Sequence, residues 1–398
     1  MKTRDYIIIG AGITGLAIAR ELILQEPGLN IAILEKENRI GVHASGRNSG
    51  VLHSGIYYPE NTLKAEMCAK GARAMAEYCE ENGLPIQRQG KVITPVKIED
   101  DPQVDLLYQR AVNNGARVSI LDRKELAEIE PAVSSATGRA LYSPDTAVIE
   151  PGLVLERLAG ELADRGVNIH YSSQVTDADP ELNQVTVNKS SKLIYRRLIN
   201  SAGQFTDRIA HRFQVGGRYT ILPFKGIYYL LDKRSEIKLN GLVYPLPDLN
   251  VPFLGVHSVN SLNGRTYFGP TAIPVFGREH YQGLEGMELS QALPISWLLL
   301  QQYLRNNQGF RRFAHEEAGR FLRKKFAAAA RALVPELKAE YLLPSSKVGI
   351  RAQLLDKKKH QLVMDFLVEK KDNTTHILNA VSPAFTSAFE FAKYAVKV

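Results

Sequence analysis

The chain has 398 residues with an apolar content of 44%, which is enough for two domains, or one large interwoven unit, around a sizeable core. The formal net charge of +8 is compatible with nucleic acid, a membrane surface or an anionic substrate, and for this length it is too modest to select one of them. Apolar runs such as WLLL at 297–300 are far too short to span a bilayer, so we do not expect an integral membrane protein.

The two cysteines and the first residues indicate the compartment. Cys68 and Cys79 lie on one predicted helix, where a rise of about 1.5 Å per residue places their Cα atoms about 16 Å apart, too far for a disulfide. Two buried thiols fit a reducing compartment. The opening MKTRDYIIIGAG leads into a predicted strand and lacks the apolar run and cleavage site of a signal peptide. We expect a cytoplasmic protein, with peripheral contact to the cytoplasmic face of the inner membrane as an open alternative.

A strand, a glycine-rich turn and a helix are the first predicted elements. Residues 6–9 form the continuous apolar run that is typical of a parallel strand buried on both faces. Gly10, Gly12 and Gly15 follow in GxGxxG spacing, before the helical pattern LAIARELIL. NIAILEK then predicts a second strand, which ends at Glu35. This order predicts a Rossmann-like unit that binds a dinucleotide.

Each part of this unit has a physical role in dinucleotide binding. Gly10 allows the tight turn, Gly12 lets the backbone approach a pyrophosphate, and Gly15 lets the helix pack close to the strand. The helix N-terminus offers free N–H groups to the phosphates, and Glu35 accepts hydrogen bonds from a ribose diol. Three glycines in an ordinary strand-to-helix turn are the alternative.

The long polar segment after the second strand favours FAD over a nicotinamide dinucleotide. NRIGVHASGRNSGVLHSG is a Gly/Ser-rich loop of the kind that suits an extended pyrophosphate and flavin. The stretch SGRNSGVLHSGIYYPEN at 45–61 begins in this loop and then carries His53, Tyr57 and Tyr58. In an extended segment the two tyrosines point in opposite directions, so we expect at most one of them to face a site.

Six segments, in the same order as in a known family, are spread over essentially the whole chain: IIIGAGITGLAIAREL, SGRNSGVLHSGIYYPENTLKAEMCAKG, PFKGIYYLL, VYPLPDLNVPFLGVH, VGIRAQLLD and NAVSPAFTSAF. On these segments the chain resembles the FAD-dependent oxidoreductases of the D-amino-acid oxidase and glycerol-3-phosphate dehydrogenase superfamily. Within that superfamily it is most similar to the L-2-hydroxyglutarate oxidases and dehydrogenases. Many flavoproteins share the glycine motif, whereas NSGVLHSGIYYPE, PFLGVH and GIRAQ are much more specific.

The resemblance implies an α/β fold. A Rossmann-like FAD-binding domain is interrupted by an α+β substrate domain with a largely antiparallel sheet. We expect residues 1–83, 151–207 and 343–398 in the FAD-binding domain. Residues 84–150 and 208–342 are then the substrate-binding domain, where alternating stretches such as KGIYYLLD and RTYFGPT predict antiparallel strands.

The resemblance also implies a reaction, the FAD-dependent oxidation of L-2-hydroxyglutarate to 2-oxoglutarate by hydride transfer to flavin N5. Electrons then pass to a quinone or to oxygen. We expect non-covalent FAD, although His43 or His53 offers a position for a covalent link. The same fold acting on an amino acid, an N-methyl amino acid or glycerol 3-phosphate is one alternative. A non-catalytic nucleotide- or nucleic-acid-binding protein is another, but no recognised nucleic-acid module accompanies the basic charge, so no nucleic acid partner is expected.

Oxidation of a hydroxy acid needs a base for the hydroxyl proton and a cation for the carboxylate. His53 and His257 are the candidate bases, because a histidine near its unperturbed pKa of about 6.5 suits base chemistry at neutral pH. A purely structural histidine is the alternative for each. Arg351 is the candidate carboxylate clamp, because its planar fork donates two hydrogen bonds to a carboxylate. A second carboxylate needs a second cation, for which Lys225 is the candidate.

Tyrosines and the cofactor loops complete the candidate site. Tyr58, Tyr228 and Tyr267 are weaker substrate-binding candidates. Residues 382–386, expected at the start of a final helix, would direct backbone N–H groups at the flavin N1–C2=O edge. The cofactor-binding candidates beyond the glycine motif and Glu35 are Ile13, Thr14, Lys36, Ser45, Arg47, Asn48, Ser49, Gly50, Val175, Ala202, Gly203, Gly349, Ser382, Pro383, Ala384, Phe385 and Thr386. The histidines lack metal-ligand spacing, so no metal site is expected.

Residues 295–326 form a basic stretch with an apolar component. Between 305 and 325 it carries seven Arg or Lys and two Glu. Phe310, Phe313 and Phe321 are predicted to share a helical face. Basic amphipathic helices of this kind lie on anionic membranes, which makes peripheral membrane contact one reading. A solvated helix packed on the substrate domain is the other.

Overall fold

The computed structural model describes residues 3–398. Its helices are α1 (Ile13–Gln25), α2 (Leu63–Glu81), α3 (Asp101–Asn113), α4 (Arg123–Ile129), α5 (Pro151–Asp164), α6 (Thr206–Arg212), α7 (Leu289–Arg305), α8 (Phe310–Arg320), α9 (Arg323–Arg331) and α10 (Ala388–Ala395). Within this described part of the chain, every helix is too short or too polar to span a bilayer.

The strands are β1 (Arg4–Ile9), β2 (Ile31–Leu34), β3 (Val51–Leu52), β4 (Ile86–Arg88), β5 (Lys91–Thr94), β6 (Ser119–Leu121), β7 (Ala140–Ser143), β8 (Ala147–Ile149), β9 (Asn168–His170), β10 (Val175–Asp179), β11 (Gln184–Val187), β12 (Ser191–Asn200), β13 (Tyr219–Leu231), β14 (Leu242–Pro245), β15 (His257–Asn260), β16 (Thr266–Gly269), β17 (Ile273–Pro274), β18 (Leu342–Asp356), β19 (Gln361–Leu362), β20 (Leu367–Lys371) and β21 (Thr374–Asn379).

An eight-stranded sheet forms around β1. This strand pairs in parallel with β2 and β12, and the parallel pairs β2–β9 and β12–β21 extend the sheet. Alternate residues of β1 enter two separate cores, because successive side chains of a strand point to opposite faces. Ile8 packs with α1, α5 and α10, whereas Ile7 and Ile9 pack with α6. The sheet is therefore covered on both faces, as the continuous apolar run predicted.

A six-stranded, largely antiparallel sheet is built on the long pair β13–β18. The two strands pair from Tyr219–Asp356 to Leu231–Leu342, and β16 and β15 continue the sheet beyond β13. This confirms the predicted antiparallel sheet and the mixed α/β class. There are two smaller sheets, β14–β5–β7–β6 and β3–β8–β4, and the second contains β3, which lies at the end of the loop that follows β2.

The predicted domain boundary near residue 343 differs from the observed pairing. Residues 343–356 were assigned to the cofactor domain, but they belong to β18. Their backbone N–H and C=O groups pair along nearly the whole of β13, so this segment is part of the six-stranded sheet. The chain returns to the eight-stranded sheet only with β20 and β21.

Two helical expectations also need correction. The final helix starts at Ala388 and not near Ser382, because residues 382–386 form turns in which the N–H of Ser387 donates to the carbonyl of Pro383. The three phenylalanines predicted to share a helical face, at positions 310, 313 and 321, do not do so. Phe310 and Phe313 are buried on α8, but Phe321 follows the end of that helix and is 68% exposed.

Candidate active site

The turn between β1 and α1 borders a cavity of about 850 Å³. Gly10 has φ +100°, and a Cβ on it would lie 2.7 Å from the carbonyl oxygen of Ser201. Gly12 precedes α1 and offers no capping side chain, and a Cβ on it would lie 2.9 Å from Ser45 Oγ. The Ser45 hydroxyl accepts a hydrogen bond from the N–H of Ile13 at 3.0 Å. The bare backbone at this helix end fits a pyrophosphate, which any larger residue at Gly12 would obstruct.

Glu35, at the end of β2, lies beside this turn. Its Oε2 accepts a hydrogen bond from the N–H of Ala11 at 2.9 Å, and its Oε1 accepts one from the N–H of Glu37 at 3.0 Å. These bonds fix the carboxylate at the cavity wall, and each oxygen keeps a lone pair for a further donor. The position fits a ribose diol, as the spacing from the glycines predicted.

Most of the predicted site residues line this one cavity. They are Gly10, Gly12, Ile13, Thr14, Glu35, Lys36, Ser45, Arg47, Asn48, Ser49, His53, Val175, Ala202, Gly203, Tyr228, His257, Gly349, Arg351, Ser382, Pro383, Ala384, Phe385 and Thr386. Its volume falls in the range of about 300–1,000 Å³ that is usual for ligand and cofactor sites. The cavity therefore connects the dinucleotide turn at one end with two histidines and an arginine at the other.

Five predicted residues do not line the cavity. Gly15 packs α1 against the turn, where a Cβ would lie 2.1 Å from the carbonyl oxygen of Gly10. Gly50 has φ +75° and packs against the carbonyl of Ile149. Both glycines are required by close backbone packing rather than by contact with the cavity. The other three are Tyr58, Lys225 and Tyr267.

The strand alternation explains the place of Lys225. Its neighbours Phe224 and Gly226 line the cavity, so the side chain between them points to the opposite face of β13. Tyr267 lies on β16, where the amino group of Lys347 is 5.1 Å from its ring centroid. Tyr58 packs beside the core that holds Tyr57, so neither residue of that pair lines the cavity. Lys225, the cation predicted for a second carboxylate, is therefore not at the cavity.

His257, the first residue of β15, is held in one tautomer. Its Nδ1 is 2.9 Å from the carbonyl oxygen of Gly255, so Nδ1 carries the proton and Nε2 keeps its lone pair. The ring stacks on Tyr244, with centroids 3.9 Å apart. Burial, opposed only in part by the Gly255 carbonyl, lowers the pKa of His257 to about 4. The imidazole is therefore neutral at pH 7 and can accept a proton on Nε2.

His53 immediately follows β3 and reaches the same end of the cavity. Its backbone N–H donates to Thr386 Oγ1 at 3.1 Å, and its carbonyl accepts from Cys68 Sγ at 3.3 Å. Its buried Nδ1 has no hydrogen-bond partner within residues 3–398. Burial lowers the pKa of His53 to about 3, with further lowering by the positive charges of Lys91 and Arg351 and by His257 once it is protonated. The expectation of a histidine near its unperturbed pKa does not hold for this enclosed position.

Arg351 extends from β18, opposite Phe224 of β13. Its Nε donates to Gln353 Oε1 at 3.2 Å, and its guanidinium carbon lies 5.4 Å from the ring centroid of Phe253. Burial lowers its pKa to about 10, which still leaves the group charged at neutral pH. The terminal nitrogens remain as donors to an anion in the cavity, with Tyr228, Phe224 and Phe253 supplying apolar walls.

A polar cluster lies at the cofactor end, between the loop after β2 and the loop before α7. His43 Nε2 is 2.8 Å from Glu37 Oε1, and its Nδ1 is 2.9 Å from the Tyr281 hydroxyl. Lys36 bonds both Glu37 and Glu279. Glu37, His43 and Glu279 are close enough together to ligate a metal ion, but the ammonium of Lys36 already supplies positive charge there. The cluster therefore joins the two loops across one side of the cavity.

Two residues at or directly behind the cavity wall were not found from the sequence. Tyr244 lines the cavity, and it lies in the segment VYPLPDLNVPFLGVH that carried the family resemblance. Lys91 stands behind it and is 1% exposed. A single lysine at the start of a strand usually indicates a solvated position, so the sequence around Lys91 gives little indication that this residue is buried. The apolar residues Val92 and Ile93 that follow it are the one hint of a buried strand.

Comparisons with known proteins agree with this geometry. A family model described as FAD dependent oxidoreductase matches residues 5–398. An L-2-hydroxyglutarate dehydrogenase of Indibacter alkaliphilus is 33% identical over 394 residues, covering 96% of this chain and 96% of that protein. An L-2-hydroxyglutarate dehydrogenase of Escherichia coli K12 is 31% identical, and the match covers 98% of this chain and 92% of that protein. The structure of an FAD-bound L-alpha-glycerophosphate oxidase of Mycoplasma pneumoniae superimposes with a TM-score of 0.77 at 22% identity. The superposition covers 100% of this chain and 94% of that one. The resemblance inferred from the motifs is confirmed.

Proposed function

Because this chain belongs to the family of FAD-dependent oxidoreductases, we propose that it oxidises L-2-hydroxyglutarate to 2-oxoglutarate. The observation that carries the proposal is that His53, His257 and Arg351 line the same cavity as the dinucleotide turn. The names of the L-2-hydroxyglutarate dehydrogenases that match nearly the full length support the choice of substrate. When bound, FAD supplies the hydride acceptor for this reaction.

Arg351 binds and orients the carboxylate next to the reacting carbon. Its planar guanidinium donates two parallel hydrogen bonds to a carboxylate, which fixes the direction of the adjacent hydroxyl. The surrounding Phe224, Phe253 and Tyr228 exclude water from this end of the cavity, and a low dielectric strengthens the ionic contact. Orientation of the carbon and its hydroxyl is the main contribution of these residues.

A neutral histidine takes the hydroxyl proton. His257 is the first candidate, because its Nδ1 donates to Gly255 and its Nε2 lone pair is therefore available. His53 is the second, because it lines the same part of the cavity and its Nδ1 has no partner in the described chain. Two carboxylates on a bound substrate would raise the pKa of either ring, and so make it a stronger base than in the free protein.

The test is anaerobic reduction of the purified, FAD-loaded protein. L-2-hydroxyglutarate is expected to bleach the flavin absorbance at about 450 nm, and D-2-hydroxyglutarate is expected to leave it oxidised. L-lactate, sarcosine and glycerol 3-phosphate complete the panel. Bleaching by sarcosine or glycerol 3-phosphate, without bleaching by L-2-hydroxyglutarate, would keep the flavoprotein fold and reject the proposed substrate.

We also infer that electrons leave towards a quinone at a membrane surface. One face of α7 is apolar and exposed, and its side chains are between 45% and 80% exposed: Leu289, Leu293, Trp297, Leu300 and Leu304. These positions recur every three or four residues, so they form one stripe. Exposed apolar stripes of this kind on soluble folds are typical of binding surfaces.

The charge beside this stripe favours an anionic lipid surface. Residues 305–325 carry seven Arg or Lys and two Glu, and most of the basic side chains are exposed. An interfacial helix combines such charge with an apolar face that contains tryptophan. We expect the protein to float with vesicles that contain phosphatidylglycerol and to float less with vesicles of phosphatidylcholine alone. If a Leu293→Ser/Trp297→Ser variant floats with the vesicles as well as the unaltered protein does, this surface is rejected. If oxygen is consumed as fast as L-2-hydroxyglutarate is oxidised, oxygen is the electron acceptor.

A further inference from the structure

Lys91 is a buried cation without a partner. It is 1% exposed, and its Nζ makes no hydrogen bond to any residue that the structure describes. An ammonium group normally keeps its three donors in water or in ion pairs, because an unpaired buried charge costs several kcal/mol. Burial lowers the pKa of Lys91 to about 8, so the amino group is charged in most protein molecules at pH 7. An anion bound in the neighbouring cavity would stabilise this unpaired charge.

The amino group lies among aromatic rings that lead to the cavity. Its Nζ is 5.1 Å from the ring centroid of Tyr57 and 5.4 Å from that of Tyr244. Tyr244 lines the cavity and stacks on His257 at 3.9 Å. Lys91 therefore stands one ring behind the wall that faces the histidines and Arg351. Its charge reaches the cavity through a low-dielectric aromatic layer and not through water.

The surrounding residues do not neutralise this charge. The hydroxyls of Tyr57 and Tyr244 are buried and have no partner within residues 3–398. Burial raises the pKa of both tyrosines well above the ordinary value, so both remain neutral. Lys64 is a second buried lysine whose pKa is lowered by burial, but its ammonium group lies close enough to Asp365 for the negative charge of that carboxylate to favour the charged form and oppose this lowering. Lys91 has no comparable acid.

We infer that Lys91 is a specificity-determining residue whose charge, acting through the Tyr244 wall, favours substrates that carry a second carboxylate over those that carry one. The inference rests on the proposed oxidation of a hydroxy diacid and identifies the second cation that such a substrate needs. It replaces Lys225, whose side chain lies outside the cavity. Arg351 binds the carboxylate beside the reacting carbon, and the far carboxylate is attracted to the side of the cavity that Tyr244 lines.

The expected size of the effect follows from the separation of the charges. Two unit charges roughly 8 Å apart, at an effective dielectric of about 20, give about a 30-fold preference, or about 2 kcal/mol at ~1.4 kcal/mol per tenfold change. A direct ion pair would give more. A substrate with a methyl group in place of the far carboxylate lacks this charge–charge attraction.

The test compares L-2-hydroxyglutarate with L-2-hydroxyvalerate, which differs only by a methyl group in place of the far carboxylate. In Lys91→Met we expect kcat/KM for the diacid to fall about 30-fold and that for the monoacid to stay within about threefold. Lys192→Met, which changes an exposed lysine on β12, is the matched control and is expected to leave both values unchanged. An equal fall for both substrates in Lys91→Met, or an unchanged preference, would overturn the inference.

A binding measurement separates this inference from the proposed function. Glutarate and valerate are not oxidised, and their dissociation constants can be read from the change they cause in the flavin spectrum of the unaltered holoenzyme. We expect glutarate to bind at least about 30-fold more tightly. Equal affinities would overturn the role of Lys91 even if Lys91→Met failed to fold. A strong preference for glutarate without bleaching by L-2-hydroxyglutarate would reject the proposed reaction and leave the dianion preference standing.

Discussion

Arg351→Met removes the cation that we expect to hold the carboxylate beside the reacting carbon. The guanidinium lines the cavity, bonds only Gln353 and has no acidic partner within residues 3–398. Two charge-assisted hydrogen bonds to a substrate carboxylate are worth about 1.5–3 kcal/mol each. Losing both is expected to lower kcat/KM roughly 10²–10⁴-fold. Arg351→Lys keeps a charge but loses the fork, so it is expected to cost about 10–100-fold.

Stability provides the internal control for this prediction. Because the buried Arg351 charge has no acidic partner, replacing it by methionine should not lower the free energy of unfolding. The assay is anaerobic stopped-flow reduction of the flavin by L-2-hydroxyglutarate, with thermal unfolding of each variant measured in parallel. Arg265→Met, which changes an exposed residue between β15 and β16, is the matched surface control. Reduction of Arg351→Met at the rate and affinity of the unaltered protein would refute the assignment of the clamp.

Four other outcomes are expected. His257→Gln should slow flavin reduction roughly 10²–10⁴-fold with little change in substrate affinity if His257 is the base, and the same result in His53→Gln instead would assign the base to His53. Burial lowers the pKa of His53 to about 3 and that of His257 to about 4, from 6.5, so the unfolded state binds more protons below pH 6.5. The free energy of unfolding should therefore fall between pH 6.5 and pH 4, by up to about 1.4 kcal/mol per pH unit for each histidine, and a flat urea-unfolding profile would contradict this. Gly12→Val should yield protein with a low flavin-to-protein ratio, because its side chain fills the approach to the pyrophosphate, whereas Gly160→Ala, with open space around it, should not. Acid precipitation should release the flavin into the supernatant, as expected for non-covalent FAD; of the two candidate attachment residues, His43 has both ring nitrogens in hydrogen bonds. Flavin retained in the pellet would show a covalent link and point to His53.

The dinucleotide end of the site could be predicted because its signals are local. Gly10, Gly12, Gly15 and Glu35 belong to one strand, turn, helix and strand, and their spacing fixes their roles within that unit. The structure shows the close approaches expected at the three glycines, including the packing of Gly15 against the carbonyl of Gly10. Short-range geometry of this kind depends on the neighbouring residues and not on the remainder of the chain.

The prediction of the reactive end of the site rested on the segments that carry the family resemblance and not on any periodic pattern of residues. His53, His257 and Arg351 are more than ninety residues apart from one another in the sequence, and only the resemblance suggested that they meet. They do line one cavity, because β3 ends, β15 begins and β18 passes there. What the segments could not supply was the burial of the rings, which places both histidine pKa values well below 6.5.

The sequence by itself determined the dinucleotide unit, the antiparallel character of the second sheet and the family. Tertiary structure alone decided which cations lie at or directly behind the cavity wall. Lys225 was the natural candidate, but the two-residue period of β13 turns it away while Phe224 and Gly226 line the cavity. Lys91 had no local signal, and it becomes a buried cation only because β5 is paired between β14 and β7 and covered by Tyr57 and Tyr244. The direction of a strand's side chains and the burial of a charge are both set by packing between distant segments, which no local pattern encodes.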